Sequence, residues 1–279
     1  MDLKVLALPF LALLIMAEAI ITSMRGHEAY ELHDFAGSMS QLGMNILTKL
    51  SIDGLVIALY FYLYQFRLFE ISSGSLQWLI TLLILDFCFY WYHRASHRVR
   101  FLWCAHVVHH SSERMNFGTA LRQSPTGPFT IILFYWPLPL IGFHPLVIVS
   151  AGAVATLYGF WTHTETIGKL WRPLEWLFVT PSHHRVHHGS NAQYLDKNYS
   201  NLLIIWDRLF GTFEPEVVPV RYGLINNINT FNPLKIAFSE WWKLFRDSAK
   251  ADSMRKALRA WLKPPDWKLE RGDVSRVVC

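Results

Sequence analysis

Hydrophobic and polar positions alternate along this chain in long blocks rather than in short periodic runs. Three apolar segments lie in its first third, at residues 3–22, 50–66 and 76–92. Each is long enough to cross a bilayer core of about 30 Å as a helix. Residues 24–49 are more polar, and we expect a connection there. The pattern therefore predicts three membrane-spanning helices.

The first apolar segment has a second interpretation. Glu18 interrupts it, and Ala17-Glu18-Ala19 resembles a signal-peptide cleavage site. Only Lys4 supplies positive charge before the segment, and Asp2 offsets that charge. We therefore prefer a retained span, with a cleaved signal peptide as the alternative.

A fourth apolar region, residues 128–161, is interrupted by three prolines and a glycine. Its 34 residues reach about 51 Å if fully helical, at 1.5 Å per residue. Two perpendicular spans need about 60 Å. We expect a short helical hairpin, broken at the prolines, which returns the chain to its starting side.

Residues 233–263 intersperse Trp, Phe and Leu with Lys and Arg. This pattern predicts one or two basic amphipathic helices in the membrane interface. Packing beneath a soluble part of the protein is the alternative. Pro264 and Pro265 end the pattern, and we expect a loose tail over residues 266–279.

Composition supports an integral membrane protein, since 52% of the residues are hydrophobic and 17% are charged. We expect residues 1–279 to form a single all-α domain, a membrane helical bundle with a histidine-rich helical cap. Cys88, Cys104 and Cys279 form no CxxC pair, which does not indicate a disulfide framework. The net charge of +5 indicates membrane orientation and anionic lipid rather than nucleic acid.

Eight of the thirteen histidines fall into three boxes with helical spacing. Residues three and four apart share a helix face, with Cβ atoms roughly 5–6 Å apart. We therefore expect each box to point its imidazoles in one direction. The boxes are His93 and His97; His106, His109 and His110; and His184, His187 and His188.

Imidazole is the commonest side-chain metal ligand and suits Zn, Cu, Fe and Ni. Eight such ligands exceed the four positions of one tetrahedral zinc. The boxes therefore predict two metal ions that keep open positions. We expect the scattered His27, His33 and His144 to be structural.

Carboxylates often orient metal-bound imidazoles by hydrogen bonding. Asp86 lies seven residues before His93, and two helical turns bring both to about the same face. A helix–helix hydrogen bond is the alternative role for Asp86. Further candidates, each also explicable as an ordinary structural polar residue, are Glu113, Glu165, Asp196 and Asp207.

The distribution of Lys and Arg indicates the side on which the boxes lie. Five lie in residues 93–127 and seventeen in 162–279, so 22 of 26 are on the histidine side. Short cytoplasmic loops carry an excess of Lys and Arg. We therefore predict cytoplasmic histidine boxes, with Ser72, Ser73 and Gly74 on the opposite side.

Residues 67–231 resemble the fatty acid hydroxylase/sterol desaturase superfamily, and within it most of all the ether-cleaving alkylglycerol monooxygenases. The segments that carry the resemblance are DFCFYWYHRASH from Asp86, HVVHHSSERMNFGTALRQS from His106, FWTHTE from Phe160, TPSHHRVHHGSN from Thr180 and DKNYSNLLIIWDRLFGTFEPE from Asp196.

The resemblance implies an O2-dependent enzyme with two Fe ions that hydroxylates a C–H bond of a membrane lipid. The eight box histidines match the superfamily's ligand signature. His163 matches a further histidine near the metals, and His183 is a weaker candidate. Ether-cleaving members use a tetrahydropterin as electron donor, and others take electrons from cytochrome b5 or ferredoxin-type partners. Arg98 stands where the ether-cleaving members would have glutamate.

Several alternative functions remain open at this point. An enzyme of the same superfamily could act on a sterol, a fatty acyl chain or an aminolipid. A non-enzymatic metal-binding or metal-transport protein is a second class, although its histidines would be expected within spans or in a loose loop. A membrane zinc protease is disfavoured because the sequence contains no His-Glu-x-x-His motif.

Overall fold

The computed structural model describes residues 3–71 and 74–267. Within these residues the protein is helical and has no β-strand, apart from an isolated bridge between Phe178 and Leu203. This confirms the predicted all-α fold. The helices are α1 Leu3–Met24, α2 Leu32–Tyr64, α3 Ser75–Arg98, α4 Arg100–His110, α5 Phe117–Ala120, α6 Gly127–Tyr135, α7 Pro137–Ile141, α8 Pro145–Trp161, α9 Arg172–Leu177, α10 Pro181–His187, α11 Ile205–Leu209, α12 Pro233–Ala249 and α13 Met254–Leu262.

Three of these helices are long and apolar enough to cross a membrane: Ala7–Met24 within α1, the whole of α2, and the whole of α3. Their outer faces expose large apolar side chains such as Leu13, Leu55 and Leu79. A bilayer core solvates such side chains, whereas water does not. The long helices are therefore suited to lipid.

Helix α2 begins at Leu32, so the polar connection predicted over residues 24–49 is wrong for most of its length. Glu31 caps the helix by accepting hydrogen bonds from the next turn. Gly37, Ser38 and Gln41 look polar in sequence but are buried, and Gln41 donates to the carbonyl of Pro233. The 33-residue helix is about 50 Å long, so its N-terminal part extends beyond a bilayer core.

Helices α6 and α8 both pack on α3 and are joined by α7 and a tight turn at Gly142. That turn packs against the residues after α2, where the Leu68 amide donates to the Leu140 carbonyl. Gly142 has φ +126°, and a Cβ there would lie 2.2 Å from the Phe69 oxygen, so only glycine fits. This contact defines the end of the bundle opposite to the histidines. Ser72 and Ser73, predicted on this side, lie outside the described residues.

Helices α12 and α13 pack on α4 through a small core of Cys104, Leu244 and Ala260. Their other faces expose apolar side chains four residues apart, including Trp242 and Leu258. The two helices therefore combine packing on the cap with an exposed apolar surface. The tail beyond residue 267, with Cys279, lies outside the described residues.

Candidate metal centre

All three histidine boxes lie at one end of the bundle. The first box occupies the last turns of α3, and the second follows in α4 after the single extended residue Val99. The third box spans α10 and His188 directly after it. His163 lies two residues beyond α8, which returns the chain to this end.

Nine histidines form two groups, and within each group one ring nitrogen per residue lies within 4.8 Å of all the others. The nine are the eight box histidines together with His163. Site one consists of His93, His97, His106, His110 and His187, and site two of His109, His163, His184 and His188.

The expectation that each box points in one direction is wrong for the second and third boxes. His106 and His110 contribute to site one, whereas His109 contributes to site two. Consecutive helical residues point about 100° apart, so adjacent histidines reach different groups. The third box divides in the same way, and the rings of His110 and His188 stack at 4.4 Å between the two sites.

Within each site the Nε2 atoms face one another. In site one the distances are 2.9 Å for His93 and His106, 3.0 Å for His106 and His110, and 3.1 Å for His110 and His187. In site two they are 3.1 Å for His109 and His163, 2.8 Å for His163 and His184, and 3.1 Å for His184 and His188.

Four of these imidazoles donate a hydrogen bond from Nδ1 to a backbone carbonyl. The pairs are His93 to Tyr199 at 2.7 Å, His109 to Arg122 at 3.3 Å, His163 to Gly159 at 2.8 Å and His187 to Lys197 at 2.9 Å. A carbonyl only accepts, so Nδ1 carries the proton and Nε2 of the neutral ring presents a lone pair. Metal-ligating histidines are commonly oriented in this way.

The pairing of His109 with His163 is the clearest sign of a cation site. Both Nε2 atoms carry lone pairs and lie 3.1 Å apart, with no proton to place between them. Burial lowers the pKa of His109 to about 4 and that of His187 to about 3, so both are neutral at pH 7. Neutral imidazole is the form that binds metal. A cation between such lone pairs replaces repulsion with coordination.

His97 adds a second observation of the same kind. Its Nε2 atom is buried and has no hydrogen-bond partner among the described residues. A buried unsatisfied polar atom is costly and calls for an explanation. The all-nitrogen donor sets of both sites fit transition metals, iron included.

Of the five candidate carboxylates, Asp196 alone lies beside an imidazole of either site within the described part of the chain. Its Oδ1 atom is 3.7 Å from Nδ1 of His97, and its Oδ2 atom is 3.2 Å from a guanidinium nitrogen of Arg98. Asp196 has φ +60°, a left-handed conformation that is uncommon for a non-glycine residue. Its carboxylate therefore lies at the rim of site one.

Asp86 and Asp207 are buried but bind backbone rather than histidine. Asp86 accepts from the amides of residues 202 and 203 and from the Trp206 indole. Asp207 accepts from the amides of Tyr199 and residue 200. Both hold the segment after the third box, so they act on the imidazoles only through the backbone.

The remaining candidates lie away from both sites. Glu113 accepts from Asn227, while Glu165 contacts His27 and Tyr222. His183 belongs to neither site, because its Nε2 atom lies 3.2 Å from a carboxylate oxygen of Glu175. These three residues are therefore not part of the imidazole groups.

Two supporting residues escaped the sequence analysis. Glu18 accepts hydrogen bonds from Tyr30, from the amide of Phe117 and from the hydroxyl of Thr164, the residue after His163. Glu18 could have been recognised from the sequence, because an acidic residue inside a span is a functional candidate by default.

Arg122 is the second supporting residue. It is buried, forms an ion pair with Asp34 at 3.0 Å, and donates to the Val108 carbonyl. Its own carbonyl accepts from His109. Nothing in the sequence indicated this role, because the pairing with Asp34 joins distant parts of the chain.

Comparison with known proteins shows which family this part of the chain resembles. Residues 78–212 match the family model Fatty acid hydroxylase, and this range contains all nine histidines. The predicted resemblance to that superfamily is therefore confirmed for this part of the chain.

Particular relatives are more informative. The chain is 39% identical over 264 residues to alkylglycerol monooxygenase of Homo sapiens, covering 94% of this chain and 59% of the relative. With that of Danio rerio it is 38% identical over 277 residues, covering 97% and 62%. The ornithine lipid hydroxylase OlsE of Rhizobium tropici is 35% identical over 140 residues, covering 50% and 42%.

The chain spans less than two thirds of the length of the alkylglycerol monooxygenases that it matches. No solved structure matches it.

Proposed function

We propose that this chain is the oxygen-activating core of a membrane-bound lipid monooxygenase that holds two iron ions. The observation that carries the proposal is the convergence of nine buried or half-buried imidazoles, with facing lone pairs, into two adjacent groups at the ends of apolar helices. Activation of O2 requires a redox metal, which zinc is not.

Iron in these sites would supply the redox chemistry that O2 activation requires. The chain's own residues would hold it through nine imidazole nitrogens, with five in site one and four in site two. Backbone carbonyls fix the imidazole orientation, and burial keeps the rings neutral and excludes bulk water. The chain thus provides rigid nitrogen donors in a largely dry setting.

The substrate that we propose is a lipid ether, as the name of the alkylglycerol monooxygenase relatives suggests. A site at the ends of apolar helices lets an alkyl chain approach from the bilayer. Hydroxylation of the carbon beside an ether oxygen gives a hemiacetal, which breaks down to an aldehyde and a glycerol derivative. The chain then needs only to activate oxygen and to position the lipid.

Hydroxylation of an aminolipid is the second candidate. It is favoured by the similarity to an ornithine lipid hydroxylase, which covers half of this chain. Sterols and fatty acyl chains are further substrates within the superfamily. Metal transport is less consistent with the arrangement, because the histidines form two closed groups at the ends of the spans.

Each turnover needs two electrons and two protons besides O2. We propose that a tetrahydropterin or a redox protein supplies the electrons from the aqueous side, to which the cap belongs. We assign that side to the cytoplasm, because 22 of the 26 Lys and Arg residues lie in the segments around and after the boxes.

We also propose that α12 and α13 rest on the membrane surface. Their exposed apolar side chains recur every four residues, at Trp242 on α12 and at Met254, Leu258 and Leu262 on α13. Basic residues such as Arg259 adjoin this stripe on α13 and would favour anionic lipid.

The direct test is a reconstituted reaction. Purified chain loaded with iron, in detergent or lipid with O2, a tetrahydropterin and an alkylglycerol, is expected to release fatty aldehyde. His33→Ala, at a mostly exposed histidine outside both sites, is expected to behave as wild type. Hydroxylated ornithine lipid without aldehyde would favour the second candidate. Failure to consume O2 with every lipid and donor would contradict the enzyme proposal.

A further inference from the structure

Residues 196–199, Asp-Lys-Asn-Tyr, adjoin three of the five imidazoles of site one. The Lys197 carbonyl accepts from Nδ1 of His187 at 2.9 Å, and the Tyr199 carbonyl accepts from Nδ1 of His93 at 2.7 Å. The Asp196 carboxylate lies 3.7 Å from Nδ1 of His97. The orientation of most of site one therefore depends on one short segment.

The backbone of this segment is unusual. Asp196 and Asn198 have φ +60° and +54°, and each of them directly precedes a residue whose carbonyl faces site one. Left-handed conformations are disfavoured for residues with a Cβ, although Asn and Asp adopt them more readily than most. Such strained residues persist when their surroundings hold them, and they cluster at functional sites.

Asn198 holds the segment in this conformation. Its side-chain amide donates to the carbonyls of His183 and Glu214 at 3.1 and 2.8 Å, and its Oδ1 accepts from the Glu214 amide at 2.9 Å. The backbone amide of Asn198 donates to Thr212 at 3.0 Å. Asn198 is buried and therefore ties the segment both to α10, which carries the third box, and to residues 212–214.

Site two is oriented differently. His163 donates to Gly159 in the helix that precedes it, and His109 donates to Arg122. Among the described residues, segment 196–199 makes no hydrogen bond to a site-two imidazole. Asn198 reaches site two only indirectly, through the carbonyl of His183, which precedes His184. A disturbance of this segment should therefore weaken site one more than site two.

We propose that Asn198 is a positioning residue for site one, acting through the carbonyls of Lys197 and Tyr199. The proposal rests on the two metal sites of the proposed function. It predicts that loss of the Asn198 side chain weakens metal binding at site one more than at site two. Loss of an outer hydrogen-bond partner typically costs about 10–100-fold in metal affinity.

The test uses cobalt(II) as a redox-stable probe, titrated into metal-free protein and followed by equilibrium dialysis and by its visible absorption. Asn198→Ala removes the side-chain bonds and places a less tolerant residue at positive φ. Asn198→Gly removes the bonds but tolerates the conformation. The matched control is Asn229→Ala, since Asn229 has φ +51°, is exposed and makes no side-chain hydrogen bond among the described residues.

Wild-type protein and Asn229→Ala are expected to bind two cobalt ions per chain. In Asn198→Ala one ion should bind about 10–100-fold more weakly, with a changed absorption spectrum, while the affinity for the other ion falls clearly less. Asn198→Gly should show a smaller loss at the same ion.

Two unchanged affinities in folded Asn198→Gly and Asn198→Ala would overturn the proposal. Equal weakening of both ions would also overturn it. Thermal unfolding of the metal-free variants checks the fold, and unfolding of both 198 variants would assign Asn198 to the fold instead. Wild-type protein that binds fewer than two ions would contradict the proposed function, which separates that failure from this one.

Discussion

The two imidazole groups lie at the same end of the bundle but differ in their exposure and in the residues that support them. In site one the His97 side chain is 9% exposed, and the Asp196 carboxylate at its rim is 36% exposed. In site two all four imidazoles are buried. Site one is therefore the group nearer to the protein surface.

The residues that support the two sites also differ. Site one depends on the short segment 196–199, whereas site two is attached to the long helices. Glu18 in α1 holds the residue after His163, and Arg122 pairs with Asp34 in α2 while its carbonyl orients His109. The hydrogen-bonded supports of site two therefore come from α1 and α2 and those of site one from the cap, although His93 and His97 of site one lie on α3 itself.

Removal of a proposed ligand from either site should have the largest effect. His110→Ala affects site one and His188→Ala affects site two, and both should reduce aldehyde release to background because nearby apolar residues cannot bind metal. Iron analysis should show loss at the altered site. Near wild-type turnover in either variant would contradict the assignment of that histidine as a metal ligand.

Arg122→Ala should have the next largest effect. The substitution leaves Asp34 without its buried partner, which typically costs about 3–5 kcal/mol, and it removes the bond to the Val108 carbonyl. Urea unfolding should show this loss, and cobalt titration should show weaker binding at site two. Arg114→Ala is the control, since the Arg114 guanidinium bonds only an exposed backbone carbonyl. Equal stability of the two variants would show that the ion pair of Arg122 with Asp34 in α2 does not support site two.

Glu18→Gln tests the support of site two by α1 with a nearly isosteric change. The amide can still accept a hydrogen bond from Thr164 or from Phe117, but it loses the charge that strengthens these bonds. We expect metal affinity at site two to fall about tenfold or less, with site one unchanged. A loss of metal affinity at site one alone would show that Glu18 supports site one instead of site two.

Asp196→Asn should have the smallest effect of the four. The 3.7 Å separation from His97 is too long for a strong hydrogen bond, and the carboxylate is partly solvated. We expect metal affinity at site one to change less than about threefold, below the range for well-made outer partners. A loss as large as that of Asn198→Ala would show that the carboxylate, rather than the backbone, orients site one.

The sequence predicted that these nine histidines converge, because helical spacing marks eight of them and the family resemblance adds His163. It did not predict how the boxes divide. That division follows from the 100° step between adjacent helical residues and from where α4 and α10 meet, which spacing alone does not reveal.

The supports were harder to predict. The accepting carbonyls of Lys197 and Tyr199 belong to the backbone, which carries no residue signature. Gln41 and Arg122 looked like ordinary polar residues, because their partners at Pro233 and Asp34 are distant in sequence. Such residues become recognisable only once the helices are packed.

The division of the nine histidines into two metal sites is tested by the iron content of the purified chain, measured with Mössbauer spectroscopy after anaerobic loading with 57Fe. We expect two irons per chain in two nitrogen-ligated environments, with one lost selectively in His110→Ala and the other in His188→Ala. A single iron per chain, or one environment lost equally in both variants, would contradict the division of nine histidines into two metal sites.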